Sequence, residues 1–268
     1  MKSKVHSNFI LDFQNDDYPY MEEVNEGIVK QVAARGNGAS ILDVGAGRGA
    51  LGEALCDMGY YVCAIEANEM AASVARAKVD QVILSDLHDI EEINRVILNK
   101  KFQYIIFSDV LEHVFDPLAV LRMYLPLLAE DGKLLVSLPN AVNWLNRFLI
   151  MLGMFNYKMT GVMDRTHMRF FTHRSAKKML EASECLVEKM DSTPFIVRAF
   201  LPIIKALLNN NREKADVKHI IESPSYQLYK KYVYPIEYWF TRMVPSLLAF
   251  RIILVASRRN CCSFKESK

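Results

Sequence analysis

The chain has 268 residues, 51% of them apolar, and 33 Lys and Arg against 31 Asp and Glu leave a formal charge of +2. Such a composition supplies a real core and excludes disorder as the default, and the near balance of charge removes the electrostatic footprint of a nucleic-acid binder. Five cysteines (Cys56, Cys63, Cys185, Cys261 and Cys262) form no CxxC pair, which argues for reduced thiols in a cytoplasm and against a structural zinc site.

The segment 1–17 is polar and lacks the apolar centre of a signal peptide. Arg147, Arg198, Lys205 and Arg251 interrupt the most apolar runs before any reaches bilayer-spanning length, so no membrane-crossing helix is expected. Val24, Ile28, Val29 and Val32 have helical spacing and predict a helix over 21–35, stopped by Gly36-Asn37-Gly38. A regular alternation follows, with strands at 41–44, 61–65, 81–84, 104–107 and 133–138 and helices at 50–58, 68–77, 90–98 and 117–128. Apolar strands alternating with helices predict a doubly wound α/β fold with a mostly parallel sheet covered on both faces.

Beyond Pro139 the rhythm changes. An apolar stretch at 144–155 leads into a polar loop, Asp164-Arg165-Thr166-His167-Met168-Arg169-Phe170-Phe171-Thr172, and a helix from about Arg174. Two last strands are expected at 186–190 and 250–256, separated by an unusually long insert. The chain therefore divides into an N-terminal segment and helix (1–38), a core (39–192), a helical insert (193–248), and a final strand with tail (249–268).

The chemistry is concentrated where strands end. Asp43-Val44-Gly45-Ala46-Gly47-Arg48-Gly49 sets three glycines where the first strand turns into a helix, letting backbone amides approach a ligand closely. Gly47, Gly49 and Gly52 also fit G-x-G-x-x-G, so a nicotinamide-dinucleotide site stands as an alternative at this point. Glu66 ends the second strand, where a carboxylate accepts hydrogen bonds from both hydroxyls of a ribose in either case. Asp43 beside the turn suits a cationic or zwitterionic ligand and would repel a pyrophosphate.

Asp43 before the glycines, Ser85-Asp86-Leu87 ending the third strand and Ser108-Asp109-Val110-Leu111-Glu112-His113 ending the fourth together resemble the class I S-adenosylmethionine-dependent methyltransferases, over about 40–137. The resemblance implies a Rossmann-like seven-stranded sheet whose last strand is antiparallel and slips between its neighbours. It implies S-adenosyl-L-methionine as cofactor, with Gly45, Ala46, Gly47 and Gly49 lining its methionine part and Asp43 orienting the ammonium group. Glu66 would hold the ribose, Asp86 the adenine amino group with Leu87 against the ring, and Ser108 would border the sulfonium.

A finer resemblance lies in Asp109-Val110-Leu111-Glu112-His113-Val114, Leu138-Pro139-Asn140 and Arg165 to Thr172. These are similar to the branch that includes ubiquinone-type O-methyltransferases and bacterial methyltransferases of cell-surface glycan and lipid-linked pathways. A small-molecule, glycan or lipid-linked acceptor, methylated on oxygen, is then expected. Methyl transfer from an activated sulfonium depends chiefly on in-line positioning, and a hydroxyl acceptor adds use for a base. His113 and His167 are the candidate bases, since imidazole titrates near working pH; the structural alternative is that they brace the strand end and the loop. Arg165 and Arg169 would grip an acceptor anion or form surface ion pairs. Some similar proteins hold a divalent metal through residues that Asp109, Glu112, His113 and His167 would match. Asp109 stands where those carry the longer Glu, and no metal is assigned.

In the insert, apolar helical stretches carrying scattered Lys and Arg beside a Tyr- and Trp-rich segment fit packing against the domain or a second subunit, and also a peripheral contact with the inner face of a membrane. Tyr18 and Tyr20 either fold over the cofactor or anchor the terminus. Besides the dehydrogenase, a non-catalytic S-adenosylmethionine-binding module remains compatible with these motifs.

Overall fold

The computed structural model describes residues 23–33, 38–98, 100–197, 199 and 224–259. The expectations for Tyr18 and Tyr20, for Cys261 and Cys262, and for Arg198 and the stretch 200–208 with Lys205 therefore lie outside the described residues. The described residues open with α1 (Glu26–Ala33), which begins after a non-helical 23–25 inside the predicted span. The backbone carbonyl of Asn25 accepts from the amides of Ile28 and Val29 and so starts the helix.

Then come β1 (Ser40–Val44), α2 (Ala50–Asp57), β2 (Tyr61–Glu66), α3 (Glu69–Ala75), β3 (Gln81–Leu84), α4 (Ile90–Ile97) and β4 (Phe102–Ser108). They are followed by α5 (Pro117–Tyr124), β5 (Leu128–Pro139), α6 (Trp144–Met151), α7 (His173–Ala182) and β6 (Cys185–Pro194). Helix starts are set by side chains that take orphan amides: Asn68 bonds Ala71 N, Asp89 bonds Glu92 N and Asp116 bonds Ala119 N, with Pro117 in the first turn. Thr172 and Ser175 cap α7 reciprocally. α5 stops four residues before its expected end because Pro126 has no amide to continue it; a 3-10 turn at Leu125–Leu127 leads straight into β5.

The sheet has seven strands in the order β3-β2-β1-β4-β5-β7-β6, where β7 is Ala249–Arg258. β1 to β5 are parallel, and β7 runs antiparallel between β5 and β6. Both final strands are longer than the apolar runs that announced them, since β6 carries half-buried polar residues along an edge. Successive strand residues feed opposite faces. Leu42, Val44, Ile105, Phe107, Leu134 and Val136 belong to one core layer, and Ile41, Tyr104, Ile106 and Leu135 to the other. Both faces are thus dry, which is why the strands read as continuous apolar runs.

The described part of the insert contains α8 (Pro224–Leu228), a π-helical turn (Tyr229–Val233), α9 (Tyr234–Met243) and α10 (Pro245–Leu248). α9 covers the β6 edge: Tyr238 Oη donates to both oxygens of Asp191, at 2.6 and 2.8 Å. Buried Glu237 accepts from Val197 N and Tyr229 Oη. Among the described residues, no helix is long and apolar enough to cross a membrane.

Candidate active site

The carboxyl ends of β2, β1, β4 and β5 open onto one cavity of about 740 Å³, lined on one side by Asp43, Gly45, Glu66 and Asp86 and on the other by Ser108, Glu112, His113 and His167. Ligand sites gather at this edge in open α/β sheets because the strand order reverses there.

The cofactor side is built on backbone. Gly45 has φ +73°, and a Cβ at that position would lie 2.7 Å from Val110 Cγ2, so the turn after β1 meets the turn after β4 without room for a side chain. Gly45 N and Ala46 N both donate to Ile65 O, at 2.9 and 3.0 Å, pinning the turn to β2. Glu66, at the end of that strand, accepts from Gly47 N at 2.7 Å and Asn68 N at 2.9 Å. It thus organises the glycine turn and stands on the cavity wall. Asp86 is exposed and accepts from His88, while Leu87 packs on the core.

Asp43 is 1% exposed, and its Oδ2 has no hydrogen-bond partner. Burial, followed by the charge of Glu66, pushes its carboxyl up to about 7. An orphaned carboxylate beside a glycine cradle is what a cationic ammonium group would satisfy, so the residues present fit S-adenosylmethionine. The same carboxylate would oppose a pyrophosphate.

The acceptor side depends on contacts distant in sequence. A 3-10 turn at Leu111–His113 follows β4, and the backbone oxygen of Glu112 accepts from Met168 N and Arg169 N, at 2.9 and 3.1 Å. This places the 164–172 loop against the turn and brings the two histidine rings to 4.7 Å between centroids. Thr166 donates its hydroxyl proton to Asp164 at 2.7 Å, so both Thr166 oxygens near His113 Nδ1 act as acceptors and the proton resides on Nδ1. His167 Nδ1 faces Val162 O at 3.1 Å, which fixes the same tautomer. Each imidazole consequently carries its basic lone pair on Nε2. Burial holds both rings neutral, pushing His113 down to about 4, with His167 its second cause, and lowering His167 as well.

Glu112 is buried with neither carboxyl oxygen hydrogen-bonded, and burial with the neighbouring Asp109 charge raises it well above the usual carboxylate range. Glu112, His113 and His167 offer ligand atoms that all lie within 4.8 Å of one another, a mixed N/O set suited to a divalent cation. Asp109 does not join them. It adopts φ +56°, accepts from Ser137 Oγ at 2.7 Å and pairs with Arg251 Nε at 2.6 Å. Arg169 donates from Nε and one terminal nitrogen to Phe115 O. Arg165 is exposed.

Two residues in this wall carried no functional reading from sequence. Buried Arg251 had registered only as a charge interrupting an apolar run; a charge inside a core strand needs a buried partner, and that was the available signal. Asn25, 3% exposed, joins Ser108 and Ser137 across the ends of β4 and β5.

A sheet in this order with an antiparallel seventh strand, and a glycine turn between a buried Asp and a strand-terminal Glu, define a Rossmann-like methyltransferase of class I rather than a dehydrogenase with an all-parallel sheet. The methyltransferase domain family matches residues 19–189, and the chain belongs to it. S-adenosylmethionine is its cofactor. Among curated relatives, the ubiquinone biosynthesis O-methyltransferase of Histophilus somni is 30% identical over 135 residues, 47% of this chain and 57% of that protein. That of Coxiella burnetii is 33% identical over 116 residues, 42% and 48% respectively. The matches thus span about half the length of these curated relatives. A SAM-dependent methyltransferase from Archaeoglobus fulgidus superposes with TM-score 0.57 at 14% identity, covering 90% of this chain and 96% of the other. Magnesium protoporphyrin IX methyltransferase from Synechocystis, solved with bound SAH, gives 0.52 at 15% identity over 87% and 81%.

Replacing Glu66 by Ala removes the anchor of Gly47 and Asn68 as well as the carboxylate expected to meet the ribose. Calorimetry should show S-adenosylmethionine bound more weakly by about 1 to 3 kcal/mol; wild-type affinity would dissociate Glu66 from the cofactor.

Proposed function

We propose that the protein transfers a methyl group from S-adenosylmethionine to a hydroxyl of a small-molecule, glycan or lipid-linked acceptor. Asp43 meets the ammonium group, Gly45, Ala46, Gly47 and Gly49 the methionine part, Glu66 the ribose, Asp86 and Leu87 the adenine, and Ser108 the sulfonium side. The bound cofactor supplies an activated methyl group, so the protein's share is to align the acceptor oxygen and accept its proton. The observation that carries this reading is the pair of neutral imidazoles, each with its tautomer fixed so that Nε2 is basic, on the cavity wall opposite the glycine turn.

The names of the curated relatives support an oxygen nucleophile on a small acceptor. The surroundings favour one with an apolar portion. Phe115 and Met168 line the cavity and are 75% and 42% exposed, and Phe170 packs on His167 and on Phe155, with centroids 6.2 Å apart in each pair. From 132 to 163 the sequence has no acidic residue, while Arg147 and Lys158 stand among exposed Phe148, Met151, Leu152 and Phe155. An exposed apolar and basic segment of this kind suits an anionic lipid surface from which an amphipathic acceptor is drawn.

The test is transfer of a deuterated methyl group to a panel of hydroxylated aromatic, glycan and polyprenyl acceptors, followed by mass spectrometry of the product. Label on oxygen supports the reading; label found on nitrogen or carbon overturns it. In a second reading, favoured by their clustering, Glu112, His113 and His167 would hold a divalent cation, which would supply Lewis-acid activation of the acceptor hydroxyl. In that case prolonged dialysis against a chelator lowers turnover by about 100-fold, restored by added metal; full turnover in metal-free enzyme eliminates it.

A further inference from the structure

The side-chain amide of Asn25 is held in one orientation by a chain of hydrogen bonds that begins on the last strand. Arg251 pairs with Asp109 Oδ2 at 2.6 Å, and the other oxygen, Oδ1, accepts the proton of the Ser137 hydroxyl at 2.7 Å. A carboxylate only accepts, so the Ser137 proton is committed and Ser137 Oγ must itself accept from Asn25, at 2.9 Å. The atom facing Ser137 is therefore Nδ2, which also donates to Ser108 Oγ at 3.0 Å. An amide ordinarily has two indistinguishable settings, and here the committed Ser137 proton excludes one of them. What remains is Asn25 Oδ1, a buried carbonyl oxygen with no hydrogen-bond partner, on a residue that lines the cavity.

The position narrows what can meet that oxygen. Ser108 and Ser137 are partners across β4 and β5, so Asn25 bridges these two strand ends. Ser108 and Ser137 stand at the ends of the two strands that follow β1 in the sheet order, and Asn25 and Ser108 line the same cavity as the glycine turn and both histidines. A buried oxygen with unused lone pairs there attracts positive charge, and the cofactor's reacting centre is a cation before transfer and neutral after it.

We propose that Asn25 Oδ1 is a cofactor-site group that recognises the sulfonium charge, favouring S-adenosylmethionine over the product S-adenosylhomocysteine. Its orientation is enforced by Arg251, Asp109 and Ser137, which act as positioning residues. The arrangement gives the protein a way to release product: the carbonyl dipole holds the charged cofactor and loses its partner once the methyl group has left.

Calorimetric titration of Asn25→Ala with both ligands tests this without reference to turnover. The expected result is a loss of about tenfold in affinity for S-adenosylmethionine, with S-adenosylhomocysteine changed less than about twofold. Sinefungin, which carries an ammonium group in place of the sulfonium, should follow S-adenosylmethionine. Equal losses for all three ligands, or no loss for any, overturn the proposal. Should Asn25→Ala fail to fold, Ser137→Ala decides the matter, because it leaves Asn25 in place and removes the acceptor that fixes its amide. The ratio of S-adenosylmethionine to S-adenosylhomocysteine affinity should then fall by about threefold or more, and an unchanged or higher ratio overturns the assignment.

Discussion

Asp43→Asn is expected to make the cofactor-free protein more stable at pH 8 while costing it most of its affinity for S-adenosylmethionine. The carboxyl of Asp43 lies at about 7 instead of 3.8, first because it is buried and then because Glu66 is near. The unfolded chain releases this proton near pH 4 and the folded chain keeps it to about pH 7, so the folded state binds more protons across that window. Stability contributed by this group is therefore full below the unfolded value and is lost as pH rises through about 7, by about 4 kcal/mol when the whole shift is counted. Asn cannot ionise and should flatten that part of the profile, seen as a higher urea midpoint at pH 8 with little change at pH 4. Binding moves the other way. Without the carboxylate, the proposed partner of the ammonium group is gone, and affinity should fall by about 100-fold. A variant less stable at pH 8, or one that binds the cofactor normally, would contradict the role given to Asp43.

The histidine pair carries the second large effect. With either ring as the base, His113→Ala or His167→Ala should lower turnover by about 100- to 1,000-fold and leave cofactor affinity within about twofold. The pH profile adds a sign. His113 is pushed down to about 4 by burial and by His167, so the neutral, proton-accepting form is present at all higher pH. Turnover limited by this base should be flat from about pH 6 to 9 and fall only on strong acidification. Normal turnover in either variant removes that residue from the chemistry. A single limb near the ordinary imidazole value of about 6.5 would show that the rings are not held neutral.

The outcome of reading the sequence follows from how far apart the interacting residues lie. Both dry faces of the sheet impose continuous apolar strands, so β1 to β5 and their helices were visible as alternation. The glycine turn and Glu66 were visible because the backbone chemistry they serve is local: nineteen residues separate Gly47 from Glu66, one βα step. The pairing of His113 with His167 was suspected but could not be placed, since it depends on Glu112 O capturing the amides of Met168 and Arg169. Asn25 escaped notice entirely. Its bonds to Ser108 and Ser137 span 83 and 112 positions, and nothing around it differs from an ordinary helix start. Arg165 and Arg169 admit two readings from sequence, an acceptor clamp or surface ion pairs, and the bond from Arg169 to the carbonyl of Phe115, 54 positions away, has no local signature.

The account rests on what the glycine turn, Asp43 and Glu66 hold, and one titration tests it most directly. S-adenosylmethionine, S-adenosylhomocysteine and NAD are each titrated calorimetrically into the wild-type chain and into Glu66→Ala. Binding of the first two, weakened in the variant, with no heat from NAD, is the predicted result. Binding of NAD in their place, or cofactor affinity indifferent to Glu66, would contradict it.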